Sequence, residues 1–134
     1  IRLDPKPISG DWNGSGAHIN FSSKFMREDA TIELLKDMCS ALGKFKMEML
    51  STYGNDNQLR LTGKHETAHI NDYNWGVSDR GASIRIPAST AIKGKGHLED
   101  RRPAANIDPY EAVAAITKYV NIVEKEVAEP SLFV

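Results

Sequence analysis

Five apolar residues near the C-terminal end constrain the fold more than any other feature of the sequence. They are separated by steps of three and four, which places them on one face of a helix: Val113, Ile116, Val120, Val123 and Val127. Asp108 can cap this helix and Pro109 suits its first position, while Pro130 is expected to end it. A helix with one apolar face needs a partner that covers it. We therefore expect these five residues to be buried against a sheet or another helix.

Weaker patterns predict the remaining elements. A second helix is predicted over about 29–53, where apolar residues again recur at steps of three and four: Ile32, Leu35, Met38, Leu42, Phe45 and Met49. Gly43 interrupts this helix and weakens the pattern in its second half. Alternating apolar and polar residues predict a strand over 17–21, and a second strand is predicted over 82–86.

Length and charge limit the functions that the chain can have. Its 134 residues suit one domain, and 17 Lys and Arg balance 18 Asp and Glu. This balance argues against binding to nucleic acid or to an anionic membrane, and no apolar run approaches the roughly 20 residues of a membrane helix. The single cysteine, Cys39, excludes an internal disulfide and fits a reducing compartment, so we expect a cytoplasmic protein.

One short motif offers a metal site of a well-known kind. Residues 65–69 (HETAH) match the H-E-x-x-H pattern, in which a helix presents two histidines to zinc and the glutamate acts as general base. Gly63 and Lys64 precede the motif, and Asn71 follows where a buried helix needs an apolar residue. These neighbours favour a chance match over a zinc protease.

Charged residues near glycine-rich turns suggest a binding site for an anion. Residues 10–18 (GDWNGSGAH) hold three glycines that let the backbone approach a ligand, and they end in His18, which is either a metal ligand or a structural residue. Arg85 lies between two isoleucines and points away from them if the segment is a strand. It serves either an anionic ligand or a solvated face.

Alternation in a strand gives the segment 99–102 (EDRR) two different faces. Glu99 and Arg101 would share one face, and Asp100 and Arg102 the other. One face could then hold a metal and an anionic substrate while the other closes a structural ion pair. Two surface salt bridges would explain the pattern equally well.

Taken in order, four segments resemble the glutamine synthetase family, most closely its type II, eukaryotic-like variety. They are 10–18 (GDWNGSGAH), 60–67 (RLTGKHET), 74–87 (NWGVSDRGASIRIP) and 98–110 (LEDRRPAANIDPY). The resemblance implies that residues 1–134 form the C-terminal portion of the catalytic domain, without the N-terminal β-grasp domain or the first half of the catalytic domain. The fold class implied is α+β, with a curved antiparallel sheet backed by helices.

The resemblance also implies a reaction and its partners. Members of the family are glutamate–ammonia ligases that phosphorylate glutamate with ATP and let ammonia displace phosphate from the glutamyl phosphate. They use Mg²⁺ or Mn²⁺ and form homo-oligomeric rings in which neighbouring subunits complete each active site. The 134 residues alone are therefore expected to be inactive.

Matched positions imply roles for individual residues. His18 and Glu99 match ligands of one metal ion. Glu66 matches the mobile glutamate that shields the acyl phosphate and helps to deprotonate ammonium. Arg80 matches the arginine nearest the transferred phosphoryl group, which gives it catalytic, substrate-binding and nucleotide-binding roles.

Further positions match the two substrate sites. Glutamate would be held by Asn13, Gly14, Arg60 and Arg101, in addition to Arg80. The nucleotide would be held by residues on two predicted strands and the loops beside them: Asn20, Phe21, Ser22, Arg80, Arg85 and His97.

The chain departs from the family pattern at the nucleotide side. Ala88 replaces a common arginine, and His97 replaces the Tyr or Phe that commonly packs on adenine. These departures leave an alternative: a non-catalytic or structural relative that keeps the fold without the reaction.

Overall fold

A four-stranded sheet with helices packed on one face forms the structure, a computed structural model that describes residues 1–129. The strands lie in the order β1, β4, β3, β2; their bounds are β1 Ile19–Phe21, β2 Trp75–Val77, β3 Ile84–Ile86 and β4 Leu98–Asp100. The helices are α1 Lys24–Glu28, α2 Ile32–Leu42, α3 Lys46–Leu50, α4 Ala88–Lys93 and α5 Pro109–Ala128. Short 3₁₀ turns lie at Gly43–Phe45 and Asn57–Leu59. This is the predicted α+β class.

One pairing in the sheet differs from the expectation of antiparallel strands. β4 is antiparallel to both of its neighbours, but β2 and β3 run parallel. The loop between them turns back at Ser78, which has a φ of 54°, and Asn74 and Ser83 then bond to each other at its base. The chain therefore re-enters the sheet at the start of β2 and runs in the same direction.

The strand register divides the sheet into two unlike faces. Glu99 lies directly opposite Asn20 on one side and Arg85 on the other, so these polar residues share the open face. Ile84 and Leu98 point to the other face and are fully buried against the helices. Each such apolar side chain contributes about 1.5–3 kcal/mol to folding, so this register is strongly fixed.

The predicted helix over 29–53 is broken in the middle. The α-helix α2 ends at Leu42, a 3₁₀ turn follows, and α3 continues the chain. The hydroxyl of Tyr73 donates to the carbonyl oxygen of Cys39, which would otherwise accept the fourth N–H along the helix. A Cβ on Gly43 would lie 2.9 Å from the Tyr73 ring, so glycine is what allows this close approach.

The last helix buries a slightly different face from the predicted one. Ile116, Val120 and Val123 are buried as expected and Val127 is partly buried, but Val113 is 51% exposed. In the first turns the buried residues are instead the alanines 112 and 115, which are small enough for close packing. The prediction for Val113 was therefore wrong. The predicted end at Pro130 lies outside the described residues.

The helices were compared with the requirements for spanning a membrane. Over residues 1–129, none combines the length and the apolar character that crossing a bilayer requires.

Candidate active site

The strand β4 and the residues after it place acid–arginine pairs on both faces of the sheet. On the open face, Arg101 Nη1 lies 3.2 Å from Glu99 Oε2. On the buried face, Arg102 Nη2 lies 2.7 Å from Asp100 Oδ2, and Arg102 Nε donates to Asp100 Oδ1 at 2.9 Å. The alternation predicted from the sequence is confirmed, and it separates a pair beside a cleft from a pair in the interior.

The interior pair is enclosed by aromatic residues. The hydroxyl of Tyr53 donates to Asp100 Oδ2 at 2.6 Å. The guanidinium of Arg102 lies 5.3 Å from the ring of Tyr53 and 5.2 Å from that of Tyr73. Burial raises the pKa of both tyrosines, so neither ionises in the folded protein at neutral pH. This side of β4 is a structural ion pair.

Arg60 reaches the cleft from the 3₁₀ turn, held by backbone carbonyls. Its guanidinium donates to the carbonyl oxygens of Arg101, at 3.0 Å, and Arg102, at 3.1 Å. Burial and the nearby charge of Arg101 lower the pKa of Arg60 to about 10, so the side chain remains cationic at neutral pH. Any Cβ at position 16 would fall 2.4 Å from Arg60 Nη2, so Gly16 gives the guanidinium its room.

His18 lies between Arg60 and Glu99. Its Nε2 is 3.2 Å from Arg60 Nη2, and its Nδ1 is 3.3 Å from Glu99 Oε1. A guanidinium can only donate, so Nε2 accepts and the proton of the neutral imidazole lies on Nδ1, toward Glu99. Burial and the charge of Arg101 lower the pKa of His18, which favours the neutral form that metal ligation requires.

The two predicted metal ligands therefore converge, but they form only part of a site. His18 and Glu99 would be the residues that hold the ion, and His18 could bind it through Nδ1 only if the imidazole proton moved to Nε2 and Arg60 no longer donated there. Within residues 1–129 no group of three His, Cys, Asp or Glu side chains is arranged to hold a metal. Glu99 also has Arg85 Nε at 2.9 Å and Arg101 beside it. Further anionic ligands are needed before a divalent cation is stable here.

The open face ends in a cleft of about 180 Å³. Six of the residues matched to substrates, catalysis or metal line it: Asn13, Gly14, His18, Arg60, Glu66 and Arg101. Glu66 forms part of its roof, and Glu66 Oε1 lies 3.8 Å from Arg80 Nη1. The carbonyl oxygen of Arg80 accepts from Arg101 Nε at 3.0 Å, which ties this arginine to the same cluster.

The chain is similar to proteins of known function in plants and fungi. The chain is 54% identical over 118 residues to glutamine synthetase cytosolic isozyme 1-4 of Arabidopsis thaliana, which covers 88% of this chain and 33% of the relative. It is 57% identical over 110 residues to chloroplastic glutamine synthetase of Brassica napus, covering 82% and 26%. It is 50% identical over 119 residues to glutamine synthetase of Fusarium solani subsp. phaseoli, covering 89% and 33%. No protein-family model matches the chain.

The chain belongs to the glutamine synthetase family. The relatives are plant and fungal enzymes, in agreement with the eukaryotic-like variety predicted from the motifs. The chain spans about a third of the length of these curated relatives.

Ser22 and His97, two of the positions matched to the nucleotide in glutamine synthetases, lie at the other end of the β1–β4 pair. The hydroxyl of Ser22 donates to the carbonyl oxygen of Gly96 at 3.0 Å, beside His97. Asn20 faces the open side next to Glu99, whereas Phe21 packs partly into the core. His97 precedes β4 and the cleft residue Arg101 follows it, so the length of the strand, at about 3.3 Å per residue, separates His97 from the cleft. His97 instead lines a separate cleft with three basic residues: Arg27, Lys93 and Lys95.

The H-E-x-x-H string of this chain is not a zinc site. Residues 62–69 form bends and irregular backbone, so the two imidazoles do not share a helical face. His65 Nε2 lies 2.8 Å from Asp11 Oδ1, and His69 Nδ1 accepts the N–H of Asn71. The zinc-protease interpretation is contradicted in the part of the chain described.

Three cleft residues were not assigned a role in the glutamate or metal site by the sequence analysis. Gly16, His65 and Thr67 line the cleft beside residues that had been singled out. Each is a near neighbour of a matched position, so proximity along the chain was the signal available. That signal could not distinguish side chains facing the cleft from those facing away, because the segment has no regular period.

Proposed function

We propose that the chain acts as the C-terminal catalytic portion of a glutamate–ammonia ligase, which makes glutamine from glutamate, ammonia and ATP through a glutamyl phosphate. The observation that carries this proposal is the charge balance on the open face. Three guanidinium groups, of Arg60, Arg85 and Arg101, surround the single carboxylate of Glu99 and its neighbour His18. Such an excess of positive charge suits ligands that bring carboxylates and phosphates.

Glutamate would occupy the cleft of about 180 Å³. Arg60 and Arg101 offer planar donors to its carboxylates, and the segment with Asn13 and Gly14 provides polar groups for its amino-acid end. Arg60 is already anchored by backbone carbonyls, so it would lose little side-chain freedom on binding.

The phosphoryl group would lie between this cleft and the sheet. Arg80 and Arg85 carry charge on that side, and both contact acidic residues that a phosphate would compete with: Arg80 contacts Glu66 and Arg85 contacts Glu99. Positive groups placed where negative charge develops stabilise the transition state. ATP would bind where β1 ends and β4 begins, with its phosphates toward Arg80 and Arg85, and it would contact Asn20, Phe21, Ser22 and His97.

Mg²⁺ or Mn²⁺ would be held in part by His18 and Glu99. When bound, the ion would neutralise phosphate charge and orient the phosphoryl oxygens. Its remaining ligands must come from substrate and from residues beyond this set. In the proposed homo-oligomeric ring, a neighbouring subunit completes the site.

Glu66 would accept a proton from ammonium at the roof of the cleft. Ammonium holds its proton too tightly to attack an acyl phosphate near neutral pH, so a nearby carboxylate must take it. The same roof would keep water from the intermediate.

A cytoplasmic location remains our proposal. Cys39 is a free, fully buried thiol, as expected in a reducing compartment. One of the relatives is named a cytosolic isozyme and another a chloroplastic enzyme. We propose no nucleic-acid or membrane partner.

The experiment compares two glutamate variants in the full-length protein, Glu66→Gln at the cleft roof and Glu48→Gln on the exposed side of α3. Glutamine and phosphate are measured together with ATP, glutamate, Mg²⁺ and saturating ammonia. Wild type and Glu48→Gln should release about one glutamine for each phosphate. In Glu66→Gln the ratio of glutamine to phosphate should fall about tenfold or more, because the acyl phosphate forms but is lost to water.

Each outcome decides between the proposals. A ratio near one in Glu66→Gln would remove Glu66 from the mechanism. Failure of the wild-type protein to make glutamine while it still binds ATP would favour the alternative of a non-catalytic relative, to which Ala88 and His97 point.

A further inference from the structure

A carboxylate–imidazole contact joins two loops that lie far apart in the sequence. Asp11 Oδ1, in the glycine-rich segment, lies 2.8 Å from Nε2 of His65. The same segment contributes Asn13 and Gly14 to the lining of the cleft, and residues 65–67, called the roof here, line it as well. The contact therefore joins two segments that both line the cleft.

The backbone of the roof has an energetically unfavourable conformation. His65 and Glu66 are consecutive and have φ values of 55° and 61°, in the left-handed region that residues other than glycine rarely adopt. Within the turn, Thr67 donates to the carbonyl oxygen of Lys64 through both its N–H and its hydroxyl. Two unfavourable backbone conformations in a row require contacts from outside the turn.

The side chains of His65 and Glu66 each make one contact outside the turn, and these two contacts differ in quality; the Thr67 hydroxyl also donates to the carbonyl oxygen of Arg60 at 3.4 Å. Glu66 reaches Arg80 at 3.8 Å with both side chains more than half exposed. His65 meets Asp11 at 2.8 Å, and its side chain is only 29% exposed. The hydrogen bond and the charge of His65 lower the pKa of Asp11, which indicates that the carboxylate interacts with the imidazole when ionised. The contact with Asp11 is therefore the tighter of the two.

We infer that Asp11 is a positioning residue. Its carboxylate holds His65 and thereby fixes the left-handed turn that carries Glu66 over the cleft. The inference rests on the proposed function for its catalytic consequence, but the structural part stands by itself. Asp11 is 86% exposed and lines the outer of two adjoining clefts, so it acts from outside the substrate site.

The experiment uses the full-length protein with Asp11→Asn and, as a matched control, Asp4→Asn. Asp4 also forms an exposed ion pair, with Arg2, in the same N-terminal segment. The first readout is hydrogen exchange at the amide of Thr67, which bonds to Lys64 across the turn. An exposed contact between charged side chains is weak, so exchange should be only about three- to fivefold faster in Asp11→Asn and unchanged in Asp4→Asn.

The second readout separates positioning from substrate binding. In Asp11→Asn, the phosphate released without glutamine should rise about threefold, with the KM for glutamate within about twofold of wild type, because the roof opens more often but the arginines stay in place. Asp11→Glu should restore part of the loss.

A wrong inference about Asp11 can be distinguished from a wrong proposal about the activity of the protein. If the wild-type protein makes no glutamine, the exchange measurement alone still decides the role of Asp11. Exchange at Thr67 that is equal in Asp11→Asn and Asp4→Asn would overturn the inference. So would faster exchange accompanied by an unchanged ratio of glutamine to phosphate in an active protein.

Discussion

The two faces of β4 carry the same two kinds of residue and have different surroundings. On the buried face, Asp100 and Arg102 match each other in charge, and Tyr53 donates to the same carboxylate. On the open face, Glu99 meets Arg85 and Arg101 as well as His18. Charge balance, rather than residue type, separates the structural pair from the pair that we propose to bind ligands.

Arg102→Gln should give the largest effect on stability, because it leaves the carboxylate of Asp100 buried without its partner. The free energy of unfolding should fall by about 3–5 kcal/mol, measured by urea denaturation. Arg2→Gln, which breaks an exposed pair, should change it by less than about 1 kcal/mol. A similar small loss in both variants would mean that the buried pair is not structural.

A smaller effect should appear when the pH is raised. Burial raises the pKa of the Cys39 thiol to about 12, above its value of about 8.5 in the unfolded chain. The neutral thiol therefore contributes fully below about pH 8.5, and its contribution falls as the pH rises toward 12. Between pH 7.5 and 9.5 the wild-type protein should lose about 1.4 kcal/mol more than Cys39→Ala, measured by urea denaturation at each pH.

Equal losses in the two proteins would contradict a dry interior around α2. Faster alkylation of Cys39 in the folded protein than in urea would contradict it as well, since the thiolate is the reactive form.

Sequence patterns predicted the parts of the site that depend on local geometry. Strand alternation placed Glu99 with Arg101 and Asp100 with Arg102, and it placed Arg85 on the open face, because side chains in any strand alternate. Helical spacing likewise predicted most of the buried face of α5. The roles assigned to individual cleft residues come from the family resemblance and remain predictions.

Contacts between distant segments could not be predicted in this way. The parallel pairing of β2 with β3 depends on a loop that folds back at Ser78, and the hydrogen bonds of Arg60 use backbone carbonyls that no side-chain pattern reveals. Asp11 and His65 are 54 residues apart in irregular segments. Val113 is exposed whereas Ala112 and Ala115 are buried, because the buried face of the helix in its first turns is not the one that the valine spacing predicts.

The most direct test compares Glu99→Gln with Asp100→Asn in the full-length protein, measuring glutamine formation per folded molecule and the free energy of unfolding for each. Glu99→Gln should lower the rate of glutamine formation by about 10²–10³-fold and cost less than half the stability lost in Asp100→Asn. Asp100→Asn should lose stability and keep, per folded molecule, a rate within about fivefold of wild type. Near wild-type glutamine formation in Glu99→Gln, or equal losses of both quantities in the two variants, would contradict the assignment of one face to ligands and the other to structure.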